Sequence, residues 1–373
     1  MKEFENFDST QEIAHPLTPD QLLTFENMRA SKSMPTDLQE SMSDRRIHIS
    51  GTNSSTQVIG ALAGELASTS SFLLPDGMFI GQLGRDGQTQ LSVPQAAEPN
   101  DSVVRQPFKP AWQDQIYHPK LAPLSPDMAV KGREADRIRA HRLYEPENRT
   151  VFRPEGYPWT CIGRIEVFEN GVLKRLGTGT LVGHRIVVTS AHLMPRDGSP
   201  GRWAIRFVPG YFDGISTVGK ASWTESYRAL VSTVTDATQD RDIAIMKLYD
   251  PLGDALGWMG IKQYDDDWED RGVWTLVGYP GSLTRGERPT FQSGIPVIDD
   301  DPSGDFTEIE HRGDATDGNS GGPLFASFPD GMYMIGVHSG DEYRMVGPIV
   351  AENNNVASGG RGLVNFANEM EPL

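Results

Sequence analysis

Cysteine is nearly absent from this chain, since Cys161 is the only one among 373 residues. A single cysteine excludes an intrachain disulfide and any zinc or iron–sulfur site built from several cysteine ligands. Long apolar runs are missing too, because no window approaches the roughly 18 uninterrupted apolar residues of a membrane span. The first ten residues, MKEFENFDST, lack the apolar segment of a secretory signal peptide. The sequence therefore predicts neither a membrane span nor a cysteine-bound metal.

Basic residues are outnumbered by acidic ones. The chain has 34 Lys and Arg against 51 Asp and Glu, which gives a formal net charge of −17. A surface of this charge repels phosphate backbones and anionic headgroups, so nucleic acids and membranes are not expected as partners. The 39 Gly and 26 Pro residues indicate many turns and favour a β-rich fold.

Residues 1–142 differ in composition from the rest of the chain. Helical spacing predicts a helix from Thr18 to Met28, and the tripeptide Pro75-Asp76-Gly77 is typical of a hairpin turn. The stretch from about Ser92 to Leu124 is rich in Pro, Gln, Asp and Ser, so it is predicted to be a linker with too little apolar surface to order it. Together these features predict a partly disordered α/β region.

A basic cluster ends this N-terminal region. Its members are Lys131, Arg133, Arg137, Arg139 and Arg142. Two interpretations remain open: a solvated helix face, or a protease-sensitive junction between a propeptide and a mature protein.

From about Thr160 onward, short β-like runs alternate with turn signals. The runs cover residues 161–168, 176–183, 185–192, 202–209, 242–249, 272–281 and 332–340. Because no amphipathic helices separate them, the pattern favours an antiparallel barrel or sandwich over a parallel α/β sheet. A short closing helix is predicted from Leu363 to Met370. The acidic run at 265–270 is interpreted as a solvated loop, with a calcium loop as the alternative.

Three segments carry residues that are typical of nucleophilic catalysis. They are TSAH ending at His192, DIAI beginning at Asp242, and GNSGGPL with Ser320 at its centre. A serine hydroxyl is a weak nucleophile, so it needs a base in contact and a carboxylate that orients the base. Asp240 also lies near, but Asp242 is preferred because the apolar run IAIMKL directly follows it. His184 is interpreted as a surface residue.

These motifs, with GYPG (278–281) and IGVHSG (335–340), resemble the chymotrypsin-like serine proteases in content and order. The lack of paired cysteines is similar to their disulfide-poor branch, the glutamyl endopeptidases. The resemblance covers about residues 143–373 and implies two antiparallel six-stranded β-barrels with a short C-terminal helix, preceded by the 1–142 pro-region. It also implies a monomer that cleaves proteins or peptides without a metal or cofactor.

The same resemblance implies a role for each matching residue. His192 is expected to be the general base, Asp242 its orienting acid and Ser320 the nucleophile that forms an acyl-enzyme. The backbone N–H groups of Gly318 and Ser320 are expected to form the oxyanion hole.

The predicted substrate pocket leaves two specificities open. Its residues are Asp314, Thr316, His338, Ser339 and Gly340. A histidine at 338 is what glutamyl endopeptidases use to receive a carboxylate, and this favours cleavage after Glu. Asp314 stands where trypsins hold the aspartate that selects Arg or Lys, and Ala315 replaces a hydroxyl residue of many glutamyl enzymes.

The resemblance also bears on activation. Trypsin-type activation pairs a new N-terminal ammonium with an aspartate just before the nucleophile, where this chain has Asn319. The familiar ion pair is therefore not expected. Residues 1–142 are interpreted as a propeptide plus linker that is removed between Arg137 and Glu147, or alternatively as a partner-binding domain. An inactive barrel that only binds is the remaining alternative to an enzyme, and extracellular location is expected, with the cytoplasm as the alternative.

Overall fold

Strands dominate the computed structural model. It describes residues 16, 18, 21, 34–41, 47–51, 55–58, 78–80, 104–124, 143–144, 146–169, 172–195, 203–346 and 349–371. Among these residues, none of the helices combines the length and apolar character needed to span a bilayer. The all-β class predicted from the sequence is confirmed.

The elements are numbered in chain order. The strands are β1 (Ile47–Gly51), β2 (Ser55–Val58), β3 (Met78–Ile80), β4 (Val104–Arg105), β5 (Lys120–Leu121), β6 (Thr150–Arg153), β7 (Ile162–Glu169), β8 (Val172–Leu181), β9 (Ile186–Thr189), β10 (Trp203–Pro209), β11 (Tyr211–Phe212), β12 (Ile215–Ser216), β13 (Ser222–Ala229), β14 (Ala244–Leu248), β15 (Gly260–Lys262), β16 (Trp274–Gly278), β17 (Thr290–Ile295), β18 (Val297–Ser303), β19 (Phe306–His311), β20 (Pro323–Phe328), β21 (Gly331–Val346) and β22 (Ile349–Gly359). The α-helices are α1 (Thr36–Ser41), α2 (Leu252–Leu256), α3 (Gly281–Thr284) and α4 (Arg361–Met370). Short 3-10 helices lie at Trp159–Cys161, Ala191–Leu193, Asp236–Arg241 and Asp266–Trp268.

The first barrel is closed by hydrogen bonds between six antiparallel strands, in the order β10-β13-β14-β9-β8-β7. The side chains of each strand alternate between two buried environments, because successive side chains of a strand point to opposite faces of the sheet. Val187 and Met246 point into the barrel, whereas Val188 and Ile245 join a second cluster that also contains Phe325 of the other barrel. Burial on both faces explains why β9 and β14 are almost continuously apolar.

The second barrel is part of a larger sheet. Its hydrogen-bonded path runs β18-β19-β22-β21-β20-β16-β17 and continues into β6 and β5. The two ends of that path, β17 and β18, are consecutive in the chain and separated only by Pro296, which has no N–H for a ladder. If β17 and β18 are counted as one bent strand, the second barrel has six strands, as the sequence implied.

Residues 104–124 belong to the folded domain, which corrects the prediction of a linker. β4 pairs with β15, and Arg105, only 1% exposed, donates from Nε to Val182 O at 2.6 Å and from Nη1 to Asn368 Oδ1 at 2.6 Å. Burial lowers the pKa of Arg105 to about 10. Specific hydrogen bonds add to the packing of Val104, Trp112 and Ile116 against the hydrophobic clusters, which the overall composition of the stretch did not reveal.

Two further hydrogen bonds, each donated by a tryptophan side chain, hold residues 104–124 in place. Trp112 Nε1 donates to Ala255 O and Trp159 Nε1 donates to Ile116 O, each at 2.7 Å. Both bonds join residues 104–124 to the segments that flank the first barrel.

The closing helix predicted from Leu363 to Met370 is confirmed as α4. Its buried side chains include Leu363, Val364 and Phe366, which join the cluster between the barrels. The acidic run forms the short helix Asp266–Trp268 with Trp268 buried. The expected helix from Thr18 to Met28, the turn at 75–77 and the basic cluster at 131–142 lie wholly or almost wholly outside the described residues.

Cys161 lies at the start of the first barrel. Its side chain is fully buried, its Sγ lies 3.6 Å from Leu256 O, and burial raises the pKa of the thiol.

Candidate active site

His192 and Asp242 are brought together by two adjacent strands of the first barrel. His192 follows β9 in a 3-10 helix, and Asp242 comes just before β14. The two strands are antiparallel with Thr189 opposite Ala244, so the end of β9 lies beside the start of β14. Nδ1 of His192 lies 2.6 Å from Asp242 Oδ2. With a carboxylate as its partner, Nδ1 carries the proton and Nε2 is left with a free lone pair.

The Asp242 carboxylate is fully buried and accepts three hydrogen bonds. Besides the ring, the backbone N–H of His192 donates to Oδ1 at 2.9 Å and the Ser339 hydroxyl donates to Oδ2 at 2.6 Å. Such donors compensate a buried carboxylate for lost water. Ser339, predicted as a pocket residue, thus directs its hydroxyl at the carboxylate. Asp240 instead pairs with Arg241, at 3.3 Å between Oδ2 and Nε.

Ser320 lies in a tight turn between β19 and β20 whose shape depends on glycine. Gly318 has φ +96°, and a Cβ there would lie 2.1 Å from Tyr279 O. The carbonyl of Asp317 accepts from Gly281 N at 2.7 Å. Since C=O and N–H point in opposite directions in a trans peptide, the N–H of Gly318 faces away from Gly281.

The backbone around Ser320 is held on several sides. Thr178 N donates to Ser320 O at 2.8 Å, and the Thr178 hydroxyl donates to Gly318 O at 2.7 Å. His338 O accepts from Gly321 N at 2.8 Å. Within the described residues, the N–H groups of Gly318 and Ser320 have no acceptor, so both remain able to bind an external oxygen.

One cleft of about 760 Å³ joins the residues predicted for catalysis. His192, Gly318 and Ser320 line it together with Ser339 and Gly340. The His192 side chain is 28% exposed, whereas Ser320 is 3% exposed. Among the described residues, Ser320 and His192 line the same cleft without a hydrogen bond between their side chains, and such serine–histidine bonds are often looser in the absence of substrate. A substrate carbonyl in this cleft would therefore meet a hydroxyl, an imidazole and two N–H donors.

Asp314, Thr316 and His338 are buried behind this cleft rather than on its lining. The two oxygens of Asp314 accept backbone N–H groups, from Tyr144 at 2.5 Å and Asn148 at 2.9 Å. Burial raises the pKa of Asp314, and the two N–H donors oppose that shift. The carboxylate is thus engaged by the segment that leads into β6.

Two further buried side chains in this region were given no role by sequence reasoning. The ring of His311 packs edge-on against His338, with centroids 5.6 Å apart, and its Nδ1 accepts from Gly313 N at 3.1 Å. Burial lowers the pKa of His311 to about 3, so the ring is neutral at ordinary pH. Arg149 contacts the side chains of Thr316 and Asn319. Neither residue lies in a recognisable motif, so no local signal could have found them.

Comparisons with known proteins give a family match and several similar solved structures. A protein-family model described as Trypsin matches residues 152–353. Similar solved structures include the protease Anisep from Arthrobacter nicotinovorans, at 19% identity, covering 60% of this chain and 98% of that chain with a TM-score of 0.44. A Glu endopeptidase in complex with MPD is 19% identical, with coverages of 61% and 97% and a TM-score of 0.45. A thermostable serine protease, AL20, from an extremophilic microorganism is 16% identical, with coverages of 56% and 96% and a TM-score of 0.42.

Curated protein sequences give no match to the chain. The family model, however, spans more than half of the 373 residues. The chain therefore belongs to the trypsin family of serine proteases.

Proposed function

We propose that this protein is a serine endopeptidase in which Ser320 is the nucleophile, His192 the general base and Asp242 the residue that orients the base. The observation that carries the proposal is the buried Asp242–His192 pair, joined at 2.6 Å, in the same cleft as Ser320. A histidine fixed in this tautomer presents Nε2 to the cleft, where a serine proton is to be removed.

The reaction proceeds in two stages. Ser320 Oγ forms a bond to the scissile carbonyl carbon while its proton passes to His192 Nε2, and the carbonyl electrons move onto the oxygen. The N–H groups of Gly318 and Ser320 stabilise that oxyanion. Collapse of the intermediate expels the amine, which takes the proton from His192, and leaves an acyl-enzyme. Water then repeats the sequence and releases the acid.

We further propose cleavage after Glu, which rests on the side chains buried behind the cleft. A free aspartate at 314 would favour Arg or Lys, but both of its oxygens already accept backbone N–H groups. Arg149 Nη1 donates to Thr316 Oγ1 at 2.8 Å, but the charge of Arg149 is paired with Glu147 at 2.7 Å, so Arg149 is not the group that receives a substrate carboxylate. We assign recognition of a substrate carboxylate to N–H and O–H donors such as those of His338 and Thr316.

The direct test is labelling with a fluorophosphonate together with cleavage of matched peptides that differ only at Glu, Gln, Arg or Lys. We expect one label on Ser320, located by mass spectrometry, and a kcat/KM for Glu on the order of 10²-fold above that for Gln. A labelled protein that cleaves only after Arg or Lys would overturn the glutamyl specificity. A folded protein that neither labels nor cleaves, in its intact or a shortened form, would contradict the proposed catalysis.

Gly318→Ala tests the oxyanion donors. A Cβ at this position would clash with Tyr279 O at 2.1 Å, so the turn must move and displace the Gly318 N–H. We expect kcat to fall by about 10²–10³-fold, the cost of losing one oxyanion donor. The measurement is steady-state kinetics on the best peptide.

Gly304→Ala is the matched control for Gly318→Ala. Gly304 also has a positive φ, +69°, but a Cβ there meets nothing within 4 Å. Equal losses of kcat in both variants would show that backbone strain alone, and not the donor, is responsible.

A further inference from the structure

We infer that Arg149 is a positioning residue that holds the turn at 316–320 in its working conformation, so that the uncleaved chain already presents both oxyanion donors. This inference rests on the proposed function, because it assigns Arg149 to the same site. Arg149 lies just before β6 and contacts the turn without lining the cleft.

The guanidinium of Arg149 bonds directly to two residues of the turn. Nη1 donates to Thr316 Oγ1 at 2.8 Å and to Asn319 Oδ1 at 3.1 Å. The Asn319 oxygen also accepts from Thr316 N at 3.2 Å, so one cation joins both ends of the turn. Asn319 is adjacent to Ser320 and Gly318, and any shift of its side chain is transmitted to the peptides that carry the two N–H donors.

The opposite edge of the Arg149 guanidinium pairs with the carboxylate of Glu147. Nε and Nη2 donate to the two Glu147 oxygens at 2.8 and 2.7 Å. Burial alone would raise the pKa of Glu147, but the hydrogen bonds and charge of Arg149 lower it. The Arg149 side chain is 2% exposed. Bidentate pairing at low exposure leaves the guanidinium little freedom to leave the turn.

The turn needs such a restraint because it contains a left-handed residue. Gly318, at φ +96°, loses more conformational entropy on ordering than any other residue type would. Thr178 holds the turn from the side of the first barrel, and Arg149 holds it from the side of β6. Because Arg149 is supplied by the chain itself, a new amino terminus is not required to fix Asn319.

The experiment compares Arg149→Ala and Arg149→Lys with Arg153→Ala in the 373-residue chain. Arg153 is a matched control because it lies in the adjoining β6 and forms an exposed ion pair with Glu155. We expect Arg149→Ala to lower kcat, and the rate of fluorophosphonate labelling, by about 10²-fold with KM changed less than about 3-fold. Arg149→Lys keeps the positive charge but not the several fixed N–H donors of the guanidinium, so its kcat is expected to fall less than that of Arg149→Ala. Arg153→Ala is expected to match the unsubstituted protein.

Mass spectrometry of the labelled sample tests the second half of the inference. We expect the label on the intact chain, and a label found only on shortened chains would overturn it. If Arg149→Ala does not fold, Arg149→Lys decides: a lowered kcat at unchanged KM supports the inference, and an unchanged kcat overturns it. Failure of the unsubstituted protein to label in both its intact and its shortened forms would instead refute the proposed function, so the two failures are distinguishable.

Discussion

Ser320→Ala is expected to lower kcat by about 10⁶-fold and to abolish fluorophosphonate labelling. The substitution removes the only atom that can form the acyl bond in the proposed mechanism. The remaining rate would come from the Gly318 and Ser320 N–H groups, which Ser320→Ala leaves in place. Peptide hydrolysis at high enzyme concentration, followed by mass spectrometry, measures the residual rate.

The companion variants test whether Ser320 and His192 act together. His192→Ala is expected to cost about as much as Ser320→Ala, and the double variant no more than either, because residues that act as one unit give strongly non-additive losses. Ser293→Ala, an exposed serine in β17, is the control and should leave kcat unchanged. Additive losses, or substantial turnover by Ser320→Ala, would contradict the assignment.

A chain that begins at residue 143 is expected to lose its stable fold, whereas one that begins at residue 104 should keep it. Removing 104–124 leaves Val182 O, Ala255 O and Trp159 Nε1 without their present partners. Each buried polar group left unsatisfied costs about 1–3 kcal/mol. The total approaches the roughly 5–15 kcal/mol by which a domain is stable at all. Thermal unfolding, followed by circular dichroism, compares the two chains.

A single substitution tests the hydrogen bonds of residues 104–124 without shortening the chain. Arg105→Met should lower the thermal midpoint strongly, and Lys109→Met is its control because Lys109 is exposed. A stable, active chain beginning at residue 143 would show that the hydrogen bonds of residues 104–124 are dispensable. The expected maturation between Arg137 and Glu147 stays a prediction, and the packing implies that 104–124 would remain bound after such a cut.

The apolar strands were predictable from sequence because their side chains are buried on both faces. β9 and β14 are examples, since each contributes to the barrel interior and to the cluster between the barrels. Several strands were missed, including the fully buried β20, and β13 and β18 are two with a physical reason. Half or more of the residues in each lie at least partly exposed, and polar residues such as those of the DDD run in β18 carry no strand signal of their own. Their pairing is decided by neighbouring strands.

The residues of the candidate site also include some that the sequence predicts and some that it does not. His192, Asp242 and Ser320 were found because each lies in a short motif, and the order of the motifs reinforced them. The contacts of Asp314 with Tyr144 and Asn148 could not be predicted, because side-chain direction is set by segments distant in sequence. The same holds for Arg149 and His311, whose surroundings come from tertiary packing.

The lone thiol has a practical consequence for anyone who handles the protein. Cys161 is shielded from solvent on every side, and its raised pKa keeps it protonated. Thiol oxidants and alkylating agents react with exposed thiolates, so Cys161 offers them no target in the folded molecule. Dithiothreitol or glutathione should therefore leave the enzyme unaltered, and its expression does not depend on a host's oxidative folding machinery.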